Sequence, residues 1–202
     1  NGRLGAGISD PTGKGASKGE SYSQGSSRQA TEDGFRRNAE GLATIADTAA
    51  PLGVKLAIEV HQHAFIDNSW SALHLLELIG RPNVGVNPDL GNIYWTYDQP
   101  EETSEQAIVA LAPHAVYWHC KNLQRIHIPQ VEQAFFNFVP LPDGDIDYRF
   151  AIAAMVDAGY DGYLAIEGVR DGDQLTADGK SVQYVKALLK QLGPAGNGGR
   201  DQ

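Results

Sequence analysis

The stretch LAIEV at residues 56–60 places a glutamate, Glu59, inside a run of apolar residues. Three further apolar runs also contain, at or near their ends, a residue that can bind a metal ion. These runs are VGVNPD (84–89) with Asp89, VYWHC (116–120) with His119 and YLAIEG (163–168) with Glu167. A carboxylate inside an apolar strand is costly to bury unless its charge is paired. The four runs therefore predict strands that end around one cation.

Segments with helical spacing separate the four runs. A helix is predicted to begin after Thr31 and to end at Pro51 and Gly53, before the first run. One helical segment then follows each run: SALHLLELIG (71–80), EETSEQAIVALAP (101–113), DYRFAIAAMVDAG (147–159) and SVQYVKALLKQLG (181–193). Strands that alternate with helices of about a dozen residues indicate βαβ units and a parallel sheet.

The number of these units decides the expected fold class. A closed (β/α)8 TIM barrel usually needs about 250 residues and eight strands, and four units in 202 residues are about half of that. We therefore expect an α/β chain that supplies the C-terminal half of a TIM barrel, whose first strands lie outside this sequence. An open doubly wound sheet would contain the same units and is the alternative.

Composition divides the chain into three parts. Residues 1–29 are rich in Gly, Ser and Lys and are predicted to form a flexible loop or a disordered terminus. Residues 30–192 contain the barrel units, and residues 193–202 are predicted to form a flexible tail. The segment 123–145 is too long for a simple connection, so we expect either a lid over the active site or a surface that packs against another chain.

The charge and the cysteine content exclude several classes of protein. A net charge of −9 disfavours nucleic acid or an anionic membrane as the main partner, because either would select for clustered Lys and Arg. One cysteine, Cys120, allows no intrachain disulfide and no thiolate zinc site. No apolar run approaches the roughly 18 residues that span a bilayer. We expect a cytoplasmic protein. Because the sequence starts at Asn1 and not at a methionine, it is also compatible with a targeting segment upstream.

Each candidate metal ligand also has an ordinary structural explanation. A Glu at a strand end is often a salt-bridge partner, Asp89 could cap a turn, and His119 could be a buried histidine bonded to the backbone. Their recurrence at equivalent places in successive βα units favours a shared function, because working residues lie at the carboxyl ends of parallel strands.

Longer stretches around these residues carry a family resemblance. They are GVKLAIEVH (53–61), VGVNPDLGN (84–92), VYWHCKN (116–122) and PLPDGDIDYRFAIAAMVDAGYDGYLAIEG (140–168). On these motifs the chain resembles the xylose-isomerase-like TIM barrel superfamily, in particular its sugar isomerase and epimerase branch, whose best-defined members are ketose 3-epimerases. The resemblance covers about residues 30 to 192 and implies the C-terminal part of such a barrel.

The resemblance also implies a metal site. In that family the four strand-end residues bind one divalent ion, which implies this role for Glu59, Asp89, His119 and Glu167. Three carboxylates and one imidazole suit Mn²⁺, Mg²⁺ or Co²⁺ better than a structural zinc. We expect Mn²⁺, with Mg²⁺, Co²⁺ or Zn²⁺ as alternatives.

Two of these ligands are predicted to be catalytic as well. A metal ion polarises a sugar carbonyl, acidifies the neighbouring C–H and stabilises the enediolate formed on deprotonation. We expect Glu59 and Glu167 to exchange the proton, one on each face of the substrate carbon.

Four residues are candidate substrate contacts. Family members hold substrate with an Arg six residues after the metal-binding His, which is the place of Arg125. Asn92 stands where ketose epimerases have a sugar-contacting His, and Phe65 stands where they have a second Glu, so the identity of the sugar stays open. Lys121 either donates to a developing oxyanion or is an ordinary lysine at a strand end. His61 either contacts substrate or orients a metal ligand.

The expected function is a metal-dependent isomerase or epimerase of a sugar or polyol in carbohydrate metabolism. A second enzyme hypothesis is a lyase of the same superfamily, resembling inosose dehydratases or enzymes that cleave C-glycosides, because both reactions begin with the same enediolate. A hypothesis outside the enzyme class is that the chain is a non-catalytic half-barrel subunit. This hypothesis predicts no tight metal site. Besides a small-molecule substrate, we expect a second copy of the chain or the missing barrel half as partner, and neither nucleic acid nor membrane.

Overall fold

The computed structural model describes residues 15–17, 26–62, 64–97, 101–169 and 172–193. Short turns connect the strands and helices within these ranges. The strands are β1 Gly15–Ser17, β2 Leu56–Glu59, β3 Val84–Asn87, β4 Trp118–Cys120, β5 Asn122–Ile128, β6 Gln133–Val139 and β7 Leu164–Ile166. The helices are α1 Glu32–Ala49, α2 Ser69–Ile79, α3 Leu90–Tyr94, α4 Ser104–Leu111, α5 Tyr148–Asp157 and α6 Gln174–Leu192.

Two pairs of parallel strands carry the candidate site. β2 pairs with β3, and β4 pairs with β7. A bridge between Val86 and Ala115 joins the two pairs, and the Val116 amide donates to the Val86 carbonyl over 3.0 Å. The strand order β2, β3, β4, β7 follows the chain without the reversal that marks a doubly wound sheet. Consecutive strands of a barrel lie in this order, so the order favours an arc of a barrel over the doubly wound alternative.

Each parallel strand is followed by a helix of the outer layer. In chain order these helices are α2, α4, α5 and α6, and α1 precedes them. Each contacts the next one along the chain, so that the helices cover the strands in the same sequence as the strands themselves. The four predicted βα units and the helix before them are confirmed. The core between the two layers contains fully buried Leu111, Trp118 and Ile152.

The helix ends follow local capping chemistry. The Thr31 hydroxyl accepts from the Gly34 amide over 3.2 Å at the start of α1, as predicted. α2 begins two residues earlier than predicted, because Asn68 and Ser71 form a reciprocal capping box. α6 also begins earlier, at Gln174, where Asp173 caps a polar first turn that lacks apolar periodicity. None of the described helices is long and apolar enough to cross a membrane.

The segment 123–145 contains most of an antiparallel hairpin that the sequence pattern did not predict. β5 and β6 pair along their full lengths, and β1 adds a third strand beside β6. One face of this sheet buries a second, smaller core, made of Tyr97, Leu123, Ala134, Phe136 and Phe138. Most of the aromatic residues of the segment therefore pack within the chain. A role of the hairpin as a lid or as a contact with another chain stays a prediction.

The two predicted flexible regions lie mostly outside the described residues. Within residues 1–29, Gly15–Ser17 form β1 and Ser27–Gln29 form a 3-10 turn. Residues 1–14 and 18–25 are outside the described ranges, and the tail 193–202 is described only at Gly193. The flexibility of both regions stays a prediction.

Tyr148, in the first turn of α5, ties this helix to the end of β4. Its hydroxyl donates to the Lys121 carbonyl over 2.8 Å and accepts from the Lys121 amide over 3.0 Å. The side chain is buried, and burial raises the pKa of its phenol well above the ordinary value. Because both backbone groups of Lys121 depend on one hydroxyl, Tyr148 braces the strand end that carries His119.

Replacing Tyr148 with Phe should lower the free energy of unfolding by about 1–3 kcal/mol, because a buried amide and a buried carbonyl lose their partner. Urea unfolding followed by circular dichroism measures the change. Tyr160→Phe is the matched control, since that hydroxyl bonds the Tyr163 carbonyl at an exposed position, and its loss should cost less than about 0.5 kcal/mol. Equal shifts in the two variants would contradict the bracing role of Tyr148.

Candidate metal centre

Glu59, Asp89, His119 and Glu167 lie together at the carboxyl ends of the parallel strands. Glu59 ends β2, Asp89 follows β3, His119 lies in β4 and Glu167 directly follows β7. Each residue offers one ligand atom, and these four atoms lie within 4.8 Å of one another. The structure thus brings together all four residues that the sequence predicts as metal ligands.

Asp89 is the deepest of the four, because its side chain is completely buried. Its Oδ1 accepts from the Asn92 amide over 3.2 Å and caps α3, so the predicted turn cap and the predicted ligand are the same residue. Its Oδ2 makes no hydrogen bond to the described residues, although Lys121 Nζ lies 3.1 Å away, in ion-pair range.

The electrostatic environment of Asp89 favours a bound cation. Burial raises the pKa of Asp89 to about 7; the ammonium of Lys121 opposes this rise, whereas the charges of Glu167 and Glu59 add to it. A divalent cation at the cluster would offset both the burial and the repulsion between the carboxylates. The donor set and the buried Oδ2, which has an ion-pair contact with Lys121 but no hydrogen bond among the described residues, therefore fit a divalent metal ion.

His119 and Glu59 face each other across the centre. His119 Nδ1 lies 3.0 Å from Glu59 Oε1 and 3.8 Å from Asp89 Oδ2. The His119 amide donates to the buried Asn87 Oδ1 over 2.7 Å, which joins β4 to β3 beneath the centre. Asn92 Nδ2 donates to Glu59 Oε1 over 3.2 Å and to the Val60 carbonyl over 3.0 Å. Asn92 thereby orients Glu59 from inside the protein.

Glu167 is held by its backbone and by Lys121. Its amide donates to the Cys120 carbonyl over 3.0 Å, which continues the pairing of β7 with β4. Burial alone would raise the pKa of Glu167, but the charge and the 2.7 Å hydrogen bond of Lys121 hold it below the ordinary value. The Glu167 and Glu59 side chains are 37% and 38% exposed, so both glutamates reach the open side of the centre.

Lys121 lies inside the cluster, and its side chain is only 4% exposed. Its Nζ is 6.0 Å from the centre of the Trp95 ring, and its aliphatic stem passes over Gly91. A Cβ atom on Gly91 would lie 2.2 Å from Lys121 Cγ, so the path of the stem requires glycine at this position. The structure therefore places Lys121 among the candidate ligands.

Arg125 and His61 are not brought into the cluster by any contact among the described residues. The Arg125 amide donates to Asp145 Oδ2 over 2.8 Å, and its guanidinium donates to the Tyr97 carbonyl. His61 Nδ1 lies 3.2 Å from the Gln62 carbonyl. Their roles as substrate contacts stay predictions.

Three residues that shape the centre were not predicted from the sequence. Asn87 fixes the His119 amide, Tyr148 fixes both backbone groups of Lys121, and Gly91 leaves space for the Lys121 stem. Asn87 and Gly91 lie within VGVNPDLGN, so their positions beside Asp89 were a signal that they support the site. Tyr148 carried no such signal, because an aromatic residue in a helix is ordinarily part of the core.

Known proteins share this fold. L-ribulose-5-phosphate 3-epimerase UlaE of Salmonella paratyphi C (strain RKS4594) is 23% identical over 168 residues, which are 82% of this chain and 55% of that protein. A xylose isomerase-like TIM barrel protein from Mycobacterium smegmatis, solved in complex with magnesium, superposes with a TM-score of 0.70 at 22% identity, covering 81% of this chain and 53% of that one. The probable 3-DHS dehydratase AsbF from Bacillus anthracis superposes with a TM-score of 0.59 at 20% identity. The match covers 84% of this chain and 60% of that one.

These matches give the extent of the similarity. The chain spans about half the length of the curated relatives that it matches. The solved structures confirm the TIM barrel fold class, and this chain corresponds to part of each barrel. The family described as the xylose isomerase-like TIM barrel matches residues 14–191, which include every candidate ligand. The chain therefore belongs to the xylose isomerase-like TIM barrel family.

Proposed function

We propose that this chain carries the metal centre of a sugar epimerase or isomerase that depends on a divalent metal ion. The observation that carries the proposal is the convergence of four ligand atoms within 4.8 Å, around a buried carboxylate oxygen of Asp89 that lacks a hydrogen bond within the described structure. Glu59, Asp89, His119 and Glu167 would hold the ion. When bound, a divalent ion polarises a sugar carbonyl and stabilises the negative charge left after the neighbouring proton is removed.

The two glutamates are the proposed proton-transfer groups. Asp89 is completely buried and cannot reach a substrate, whereas Glu59 and Glu167 are partly exposed. Glu59 contacts His119 and Asn92, and Glu167 contacts the ammonium of Lys121. Unequal surroundings of this kind suit an acid and base pair, in which one carboxyl takes the proton and the other returns it.

The substrate class proposed is a ketose or a ketose phosphate. The similarity to an L-ribulose-5-phosphate 3-epimerase supports it. Phe65 packs against Phe35, with ring centres 4.3 Å apart, and Asn92 directs its amide to Glu59 and Val60. Phe65 cannot supply the carboxylate that ketose epimerases have at its position, and Asn92 replaces their histidine, so the hydroxyl pattern that is recognised should differ. Arg125, His61, Asn92 and Lys121 remain proposed contacts.

The second candidate function is a lyase, because the same proton abstraction can end in elimination. The probable dehydratase from Bacillus anthracis has the same fold and supports keeping this candidate. Assays on free ketoses and on 3-keto sugars separate the two outcomes: an epimer forms in the first case, and water or a glycosidic group leaves in the second. A non-catalytic subunit would convert neither substrate and would bind no metal tightly.

We propose Mn²⁺ as the ion, with Mg²⁺, Co²⁺ and Zn²⁺ as alternatives, because a set of three carboxylates and one imidazole suits hard divalent cations. We also propose that the chain associates with a second copy or with further barrel strands, and that the protein is cytoplasmic. Among the described residues, β2 and β7 each pair along one edge only, and such open edges favour association.

Replacing Asp89 with Asn should weaken Mn²⁺ binding by at least about tenfold, because the buried ligand loses its negative charge. Isothermal titration calorimetry with MnCl₂ measures the affinity. Glu77→Gln is the control, since Glu77 is an exposed acid on α2, and its replacement should leave the affinity unchanged. A parent protein that takes up no Mn²⁺ would contradict the metal site and favour the non-catalytic subunit.

Replacing Glu167 with Gln should lower kcat by about 10²–10⁴ on a ketose that the parent epimerises, because one proton-transfer group is lost. Proton NMR in deuterium oxide measures both turnover and the exchange of the substrate C–H with solvent. Circular dichroism and the Mn²⁺ affinity show whether the fold and the metal site are retained. The exposed Glu40 offers a control, Glu40→Gln, that should keep full activity. Full activity of Glu167→Gln would rule out the proton-transfer role.

A further inference from the structure

We propose that Lys121 is a built-in counter-ion, which sets the charge of the metal centre so that one divalent cation neutralises it and trivalent cations are disfavoured. This inference rests on the metal site proposed above and adds the residue that sets the charge of that site.

The charge balance of the cluster is the first argument. Glu59, Asp89 and Glu167 carry three negative charges when a cation is bound, and His119 adds none as a neutral ligand. The ammonium of Lys121 lies 3.1 Å from Asp89 Oδ2 and 2.7 Å from Glu167 Oε2. One positive charge inside the cluster leaves two negative charges, which a single divalent ion balances.

The position of Lys121 is the second argument, because the side chain is packed too tightly to leave. Its stem occupies the space above Gly91, where even a methyl group would collide with Cγ, Cδ and Cε. Its head lies between two carboxylates and 6.0 Å from the Trp95 ring centre. Tyr148 holds both backbone groups of the same residue. A lysine held at both ends is a fixed charge.

The burial of Lys121 distinguishes this role from that of an ordinary lysine at a strand end. Nζ donates a hydrogen bond to Glu167 Oε2 over 2.7 Å and lies 3.1 Å from Asp89 Oδ2, so two carboxylates pair with the ammonium inside the protein. The side chain is 4% exposed, and its ammonium is paired with two carboxylates of the protein. Its charge would therefore repel a cation held by the same two carboxylates, and buried charges interact strongly.

The test compares the affinities of the parent and its variants for Mn²⁺ and Tb³⁺, each added as the simple salt. Free Mn²⁺ is followed by electron paramagnetic resonance, and Tb³⁺ by its displacement of Mn²⁺ and by luminescence. The key variant is Lys121→Met, which keeps the length of the stem and removes the charge. Removing the positive charge should increase the affinity for a trivalent ion more than the affinity for a divalent ion. The ratio of Tb³⁺ to Mn²⁺ affinity should therefore rise by about tenfold or more.

Two further variants make the result specific. Gly91→Ala keeps the charge of Lys121 and displaces its stem, so the affinity ratio should shift in the same direction by a smaller factor. Lys180→Met removes an exposed lysine that pairs with Asp143, and it should leave the ratio unchanged. If Lys121→Met does not fold by circular dichroism, the comparison of Gly91→Ala with the parent decides the question.

The outcomes separate this inference from the proposed function. If the parent binds Mn²⁺ and neither Lys121→Met nor Gly91→Ala changes the affinity ratio, the counter-ion role is overturned while the metal site stands. If the parent binds neither ion, both are overturned. If the ratio shifts as expected and no sugar is converted, the counter-ion role is supported and the proposed reaction fails.

Discussion

The burial of the Asp89 carboxylate is the constraint on which the rest of the site depends. A buried anion with an unsatisfied oxygen is unfavourable unless opposite charge lies close to it. Lys121 supplies one such charge 3.1 Å away, and the neighbouring carboxylates make a further cation favourable. Loss of the charge on either Asp89 or Lys121 would leave an uncompensated charge in the interior. Hydrogen bonds hold the surrounding side chains in position.

Most of these supporting bonds come from residues outside the four candidate ligands. Asn87 holds the backbone of His119, and Tyr148 holds the backbone of Lys121. Asn92 donates its amide to Glu59 and to a backbone carbonyl, and its contact with sugar stays a prediction. The candidate ligands are thus oriented by neighbouring side chains, and such groups set ligand geometry in metal sites generally.

The two glutamates illustrate how one residue type acquires two environments. Glu59 is bonded to an amide and an imidazole, whereas Glu167 is paired with a buried ammonium. Both lie at strand ends with similar exposure, so their difference comes from the partners that neighbouring strands supply. The proton-transfer roles proposed for them depend on such a difference between two carboxyl groups.

The sequence alone determined the alternation of strands and helices and the four candidate ligands, because apolar runs, capping residues and strand-end polar residues are local signals. Thr31, Gly53 and Gly80 marked helix ends where the structure has them. The hairpin of β5 and β6 and the places of Lys121, Asn92 and Gly91 were decided only by tertiary structure. From the sequence alone, Lys121 could be an ordinary solvated lysine at a strand end. In the structure, Asp89 and Glu167, which other βα units supply, contact its ammonium. Such a contact depends on which strands lie side by side, and charges distant in sequence meet only when the arc of the barrel has formed.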